Sequence, residues 1–510
     1  MSVGSSRGWR RAAPHPRGYY ALALAAGLAL PCAFAPYALW PLALLAPALL
    51  LWLLRGLAPR PAARLGYLFG LGYFGHGVWW IQVSVHQFGL PYYSFSVTAT
   101  ALLVAYMALF PALVAYALRR LPARDERARA LLLAPPLWVA SEWLRGWFLT
   151  GFPWLSLGYS QLDAPLAGVA PLLGETGTSF AVMVGAALLA AVPGRRGVGR
   201  LVPLVALVLL LFAGHGLGRF DATHETAGDL RATLVQGAIP QSLKWEAGQR
   251  EHAFRLYGEL TAPLWRADVV VWPETAIPAF AVEVPEMLDA LTRAAREADT
   301  TLLLGVPTGE PWTGGRYYNS VLALGTEKGR YDKRHLVPFG EFFPLKSALA
   351  GISSLLSIPM SDFSAGAQDQ PLLRAAGLPV GVSICYEDVY AREVTRALPA
   401  AAFLVNVSND AWFGDTIAPH QHLQIARMRA LETGRWLLRA TNTGITAVID
   451  HRGRVTARVP QFEPTALSVR FAARAGATPY VRFGDWPVLV VGTALLAAGV
   501  YGGRERRPFA

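Results

Sequence analysis

Cys385, one of only two cysteines in this 510-residue chain, ends an apolar, β-branched run (Val380, Val382, Ile384) within GLPVGVSICYEDVY, residues 377–390. Such a run reads as a buried strand delivering a thiol to its exposed end, with Tyr386, Glu387 and Asp388 directly beyond. A thiol beside carboxylates suits covalent catalysis, because a base must take its proton before the sulfur can attack. The competing reading is a core cysteine that closes a strand, since free cysteine is among the most buried residue types. Two further strand ends bear on the choice. Glu274 closes ADVVVWPE (267–274), where Pro273 halts the run, and Lys333 lies in RYDKRHLVPFGE (330–341). Together the three segments present a carboxylate, an amine and a thiol. Taken singly, Glu274 reads equally as a carboxylate at a helix N-terminus, and Lys333 as one member of a solvated basic loop.

The elements that would position these residues alternate in type. Apolar, β-rich runs occur at 232–237, 267–274, 301–307, 320–324, 380–388, 402–410 and 436–450. Helix-like stretches lie between some of them, at 284–298 and at 418–433, where His420, Arg427 and Arg429 line a polar face. Strands alternating with helices predict α/β layers across a domain of about 218–484.

The rest of the chain has a different character. Hydrophobic residues make up 53% of the sequence and charged residues 16%, and the apolar residues cluster rather than spread. Runs near 19–36, 37–54, 65–85, 95–118, 130–147, 164–192, 201–217 and 485–501 each approach the length that crosses a bilayer. The first follows a basic stretch and resembles a signal peptide with Ala33-Phe34-Ala35 before a cleavage point. Pro36 is unfavourable just after that point, so the run reads as a retained span. Arg55, Arg60 and Arg64 follow the second run. Arg119, Arg120, Arg124, Arg127 and Arg129 follow the fourth, Arg195, Arg196 and Arg200 the sixth, and Arg504, Arg506 and Arg507 end the chain. The alternate loops at 35–36, 86–94 and 148–163 contain no Lys or Arg. This alternation predicts eight transmembrane helices with both termini cytoplasmic and the segment 218–484 on the outer side. The net charge of +12 is then topological, and nucleic acid is not an expected partner. The expected division is a transmembrane domain over 1–217, a catalytic domain over 218–484, and a last span with a basic tail over 485–510. Two cysteines exclude a disulfide scaffold or a Cys-based zinc cluster. No phosphate loop, HExxH or EF-hand pattern occurs, so neither metal nor cofactor is expected.

WPE, YDKRHLVPFGE and ICYED, in that order, resemble the nitrilase superfamily, whose members carry a Glu-Lys-Cys triad on an αββα sandwich. HLVPFGE together with an N-terminal multi-span region is similar to the apolipoprotein N-acyltransferase family. TGFPWLSLGYSQ (150–161), WIQVSVHQFG (80–89) and VQGAIPQSLKW (235–245) are similar to family segments as well. The likeness covers nearly the whole chain. It implies a nitrilase-like αββα domain joined to the spans, with catalytic Glu274, Lys333 and Cys385; beside these, Glu341 and Glu387 either orient Lys333 or form ordinary surface ion pairs, and Tyr386 is a further supporting residue next to the nucleophile. It implies a phospholipid acyl donor, typically phosphatidylethanolamine, and a diacylated apolipoprotein acceptor. It further implies a monomer in a bacterial inner membrane, with the catalytic domain in the periplasm. Two rival readings stand beside it: a membrane-tethered amidase or nitrilase that uses water, and a catalytically dead scaffold for lipid binding or transport.

Several residues keep two readings. The charge-free loop 148–165, with Phe152, Trp154 and Tyr159, either binds acyl chains or forms an interfacial aromatic belt. Trp245, with Pro338, Phe339, Phe342 and Phe343, forms either a lipid-facing lid or ordinary packing. Glu142 and Arg145, three apart on the fifth span, form a pair on one helical face that is either functional or structural. Cys32 is a packed residue of the first span, or a disulfide partner for Cys385 in an oxidising compartment.

Overall fold

Two six-stranded sheets occupy the region where alternating strands were expected, in a computed structural model that describes residues 17–88, 92–193, 197–246, 248–310, 312, 314–342 and 362–504. The first half of the domain contributes β1 (Thr223–Gln236), β2 (Val269–Trp272), β3 (Thr301–Gly309), β4 (Tyr317–Gly325) and β5 (Gly329–Asp332). The second half contributes β6 (Leu373–Ala375), β7 (Leu378–Ile384), β8 (Phe403–Ser408), β9 (Leu437–Thr441), β10 (Ala447–Ile449) and β11 (Val455–Arg458). The last strand, β12 (Thr465–Gly476), returns to the first sheet, giving orders β12-β1-β2-β3-β4-β5 and β11-β10-β9-β8-β7-β6. Each sheet has a parallel centre, β1-β2-β3 or β7-β8-β9, with antiparallel strands outside it. The run at 436–450 is not one strand. It is the antiparallel pair β9 and β10, with Ala447 opposite Arg439.

Side chains alternate across each strand, and here both faces are buried, so the parallel strands read as unbroken apolar runs. Val269 and Val271 face the space between the sheets, together with Leu234, Leu303, Val380, Ile384 and Val405. Val270 and Trp272 point the other way, onto Tyr257, Leu291 and Ala295 of helices Gln249–Thr261 and Pro285–Glu297. On the far side, Leu404, Leu437 and Ile449 pack on Leu423, Ala426 and Ala430 of helix Ala418–Thr433. The arrangement is therefore helix, sheet, sheet, helix. Each fully buried Val, Leu or Ile contributes roughly 1.5–3 kcal/mol, which gives the strand ends a rigid base.

Among the described residues, four helices are long and apolar enough to cross a membrane: Tyr93–Arg120, Pro165–Ala190, Gly197–Leu217 and Trp486–Arg504. The other expected positions carry Arg17–Ala29, Leu42–Leu53, Pro59–Gly77 and Ala134–Arg145, which are shorter or less apolar. Gly66 and Gly70 show why Pro59–Gly77 sacrifices hydropathy. A Cβ at Gly66 would lie 2.5 Å from the Pro111 carbonyl oxygen, and one at Gly70 would lie 2.7 Å from the Ala108 Cα. Small residues four apart let this helix press against Tyr93–Arg120, as they do between membrane helices generally.

The polar residues expected on one face of helix Ala418–Thr433 are drawn into the structure: Arg429 is buried, and His420 and Arg427 are partly buried. The helix is wedged between the second sheet and the N-terminal helices. Gln421 Oε1 accepts from Trp80 Nε1 at 3.1 Å and Trp154 Nε1 at 2.7 Å, while Gln421 Nε2 donates to the Gly77 carbonyl at 3.1 Å. Arg427 pairs with Asp163, Arg429 Nη2 reaches the Tyr159 hydroxyl at 3.0 Å, and Glu432 accepts from the Glu175 amide. Buried polar groups must find partners, and here they find them in the apolar part of the chain.

Candidate active site

Glu274, Lys333 and Cys385 each sit just past the end of a strand. Glu274 follows β2 and Pro273, held close to β3 because Gly305 has no side chain. A Cβ there would lie 2.2 Å from the Pro273 carbonyl oxygen. Lys333 follows β5, its amide donating to the Asn319 carbonyl at 2.8 Å. Cys385 follows β7 at a φ of +50°, a conformation that a side-chain-bearing residue adopts only when its surroundings enforce it. The sheets bring the three together. Lys333 Nζ lies 3.6 Å from Glu274 Oε1 and 2.8 Å from Glu341 Oε1. Asn319 Nδ2 bridges the same carboxylates, donating to Glu274 Oε1 at 2.7 Å and to Glu341 Oε1 at 2.9 Å.

All three residues are less than 9% exposed, so charge governs the site. Burial works against the Lys333 ammonium, but Glu341 and Glu274 outweigh it and hold its pKa above the ordinary lysine value. Burial pushes the Cys385 thiol well above its usual range. Glu274 and Asp410 reinforce that push, and Lys333 opposes it. The resting sulfur is thus a thiol that needs a base. Lys333→Met would leave Glu274 and Glu341 uncompensated in this dry site. Breaking a buried pair from one side costs about 3–5 kcal/mol, so a clear drop in Tm relative to the parent is expected, whatever happens to activity. An unchanged Tm would contradict the pairing.

Of the supporting residues, Glu387 acts mainly on backbone and Glu341 on Lys333 itself. Glu387, fully buried, accepts from the amides of Ile384 (2.8 Å), Arg334 (2.7 Å) and His335 (3.2 Å) and from the Tyr331 hydroxyl at 3.0 Å. It therefore ties the turn Cys385–Val389 to the loop that carries Lys333. Glu341 orients Lys333 directly, and its Oε2 accepts from the Val337 amide at 2.8 Å. The Tyr386 hydroxyl donates to the Gly151 carbonyl at 3.3 Å, reaching the loop of the N-terminal region.

The residues expected to meet lipid differ in exposure. Trp154 is buried at the junction of the two parts, 5.8 Å from the His422 ring and stacked on Phe152. It is neither a surface aromatic belt nor an open acyl groove. Trp245 is 39% and Phe339 51% exposed, and Phe342 is partly buried. Phe343 lies outside the described residues. A tight turn, with the Phe339 amide donating to the Phe342 carbonyl at 2.8 Å, projects the Phe339 ring while returning Glu341 to Lys333. Glu142 and Arg145 do not satisfy one another as a pair. Glu142 Oε1 accepts from Trp138 Nε1 and the Leu157 amide, both at 2.9 Å, and Arg145 Nη2 donates to Ser156 Oγ at 3.2 Å. Both hold the loop that leads to Trp154. Cys32 and Cys385 are free thiols, which excludes the disulfide.

Asn319 and Lys244 escaped the sequence reading. Asn319 sits on β4 with no local signal beyond an ordinary polar residue in a strand. Lys244 lies in VQGAIPQSLKW beside the conspicuous Trp245. It is buried, and its Nζ donates to the Glu274 carbonyl at 3.3 Å. Burial lowers its pKa to about 8, with Glu274 opposing.

Comparison with known proteins shows the family of the chain. Residues 26–188 match the apolipoprotein N-acyltransferase N-terminal domain, and residues 231–480 match the carbon-nitrogen hydrolase family. The chain is 46% identical over 489 residues to the apolipoprotein N-acyltransferase of Methylococcus capsulatus, spanning 95% of this chain and 96% of that one. Its identity to the Vibrio cholerae apolipoprotein N-acyltransferase is 43% over 494 residues, covering 94% and 96%. Among solved structures, an amidase from Nesterenkonia sp. overlaps 52% of this chain and 97% of its own, at 18% identity and a TM-score of 0.37. The C. elegans NitFhit protein overlaps 52% and 65%, at 16% identity and a TM-score of 0.39. With nearly its full length aligned to such relatives, and a carboxylate, an ammonium and a thiol gathered at its strand ends, the chain belongs to the apolipoprotein N-acyltransferase family.

Proposed function

We propose that this protein moves an acyl chain from a phospholipid to the N-terminal α-amine of the diacylglyceryl-cysteine of an apolipoprotein, through a thioester on Cys385. The observation that carries the reading is the contact of Lys333 Nζ with Glu274 Oε1 at 3.6 Å, both acting electrostatically on the Cys385 thiol. Glu274 takes the thiol proton as sulfur attacks the ester carbonyl of the phospholipid, typically phosphatidylethanolamine. The oxyanion that forms faces the Lys333 ammonium, an interaction commonly worth about 2.7–4 kcal/mol. Collapse expels the lysophospholipid alkoxide, which recovers the proton from Glu274. The lipoprotein amine then attacks the thioester. Its surplus proton passes through Glu274 to the departing sulfur, and an amide remains. Glu341, Glu387 and Tyr386 hold these groups in place, and Trp245, Phe339 and Phe342 supply apolar surface for acyl chains.

The membrane topology belongs to the same proposal: eight spans, both termini cytoplasmic, and a catalytic domain over 218–484 in the periplasm of a bacterial inner membrane. The four long apolar helices and the alternating basic loops support it. Anchoring the domain at both ends confines it to the leaflet where both lipids lie, which raises the effective concentration of ester at the thiol.

The test is mass spectrometry of the purified protein after exposure to phospholipid. One acyl mass is expected on Cys385, released by neutral hydroxylamine, and a diacylated lipopeptide added next should gain that mass. Release of free fatty acid with an unmodified peptide would identify a hydrolase instead. A bare Cys385 throughout would defeat the proposal.

A further inference from the structure

The turn that carries the nucleophile has two carboxylates, and they face opposite ways. Glu387 holds the Lys333 loop, whereas Asp388 points to helix Ala418–Thr433. There His422 lies between two carboxylates, its Nε2 2.9 Å from Asp388 Oδ1 and its Nδ1 2.8 Å from Asp410 Oδ1. Arg439 on β9 takes the remaining oxygens, Nη1 to Asp388 Oδ2 at 3.1 Å and Nη2 to Asp410 Oδ2 at 3.0 Å. Its Nη2 also lies 2.9 Å from His422 Nδ1, a contact that is no hydrogen bond when Nδ1 is protonated, since both nitrogens then donate to Asp410. All four residues are at most 1% exposed. The aromatic rings against the imidazole, Trp154 and Phe413, are uncharged. Two carboxylates and one guanidinium leave a net negative charge unless His422 carries a proton on each ring nitrogen, and an unbalanced buried charge is costly. Burial and Arg439 oppose that proton, but Asp388 and Asp410 prevail and raise the His422 pKa to about 9.

The cluster reaches the nucleophile by three short routes. Asp388 belongs to the turn whose first residue, Cys385, holds a positive φ. Asp410 accepts from Ser408 Oγ at 3.1 Å, and the Ser408 hydroxyl is near enough to the Cys385 thiol to favour its thiolate form. Arg439 Nη1 donates to Asn406 Oδ1, while Asn406 Nδ2 donates to Ser383 Oγ at 3.0 Å and lies 3.5 Å from the Cys385 carbonyl oxygen. Three charged groups act on the thiol: Glu274 and Asp410 disfavour the thiolate, and Lys333 favours it. The charge on Asp410 is therefore a liability that something must screen.

We infer that His422 is a positioning residue for acyl transfer: as an imidazolium clamped between Asp388 and Asp410, it fixes the Cys385 turn and screens the thiol from the Asp410 charge. The inference rests on the proposed function only in taking Cys385 as the nucleophile. Its test uses the full-length protein in detergent, in a Cys32→Ala background so that Cys385 alone reports. The rate of iodoacetamide alkylation is followed against pH. His422→Gln removes the screening cation, so the midpoint of the profile should rise by about one pH unit. In acyl-enzyme formation, kcat should fall about tenfold with little change in KM. Asp410→Asn removes the disfavouring charge while Asp388 still faces the imidazole, and its midpoint should move down. Shifts of opposite sign cannot come from general loosening of the fold. Unmoved midpoints in both variants, with only Tm lowered, would reduce His422 to a structural role and overturn the inference. Because alkylation needs no lipid, shifted midpoints without any acyl adduct on the parent protein would instead overturn the proposed function alone.

Discussion

Cys385→Ser is expected to abolish the acyl-enzyme and to lower transfer by ~10⁴-fold or more. The substitution is nearly isosteric and leaves the turn at Cys385–Val389 with its clamps from Glu387 and Asp388, so Tm should hold near that of the parent. Chemistry alone changes. A hydroxyl is far harder to deprotonate than a thiol, and any ester formed on serine would yield to an amine more slowly than a thioester does. The measurement is intact-protein mass after phospholipid, paired with mass gain on a diacylated lipopeptide. Substantial transfer by the serine variant would remove Cys385 from its role.

Glu274→Gln should rank next, with acylation slowed about 10²–10⁴-fold, the usual contribution of a general base. The glutamine oxygen can still accept from Asn319, and Lys333 keeps Glu341 at 2.8 Å. Stability should therefore fall much less than in Lys333→Met, where two carboxylates lose their cation together. The contrast separates a residue that moves protons from one that balances charge. Since Glu274 handles a proton in both half-reactions, lysophospholipid release and decay of a preformed thioester should slow together. If only the first slowed, another group would have to serve the amine step.

The placement of Glu274, Lys333 and Cys385 was legible in the sequence because the signals are local. β-Branched runs end at Trp272 and at Ile384, whereas Lys333 follows the short strand Gly329–Asp332, which has no β-branched residue and was marked only by its segment RYDKRHLVPFGE. The alternation of runs pointed to α/β layers only; the pairing of two sheets was implied by the resemblance to the nitrilase superfamily and not by the run pattern. The contacts that hold the site were not legible. Asp388 meets His422 34 positions away and Arg439 51 positions away, and each alone reads as an ordinary polar residue. Trp154 illustrates the same problem: an aromatic residue in a charge-free loop looks made for lipid, yet its partner is a glutamine 267 residues further on. The hairpin within 436–450 carried a turn signal, Asn442-Thr443-Gly444 between two apolar strands, which the reading of one continuous run passed over.

Helix Ala418–Thr433 sets a limit on how this enzyme can be dissected. Cutting the chain between membrane and catalytic portions would strand Gln421, Arg429 and Glu432 on a freshly bared surface, their counterparts Trp80, Trp154, Tyr159 and the Glu175 amide having left with the other fragment. A water-soluble version would therefore require redesign of that whole face rather than a well-chosen boundary.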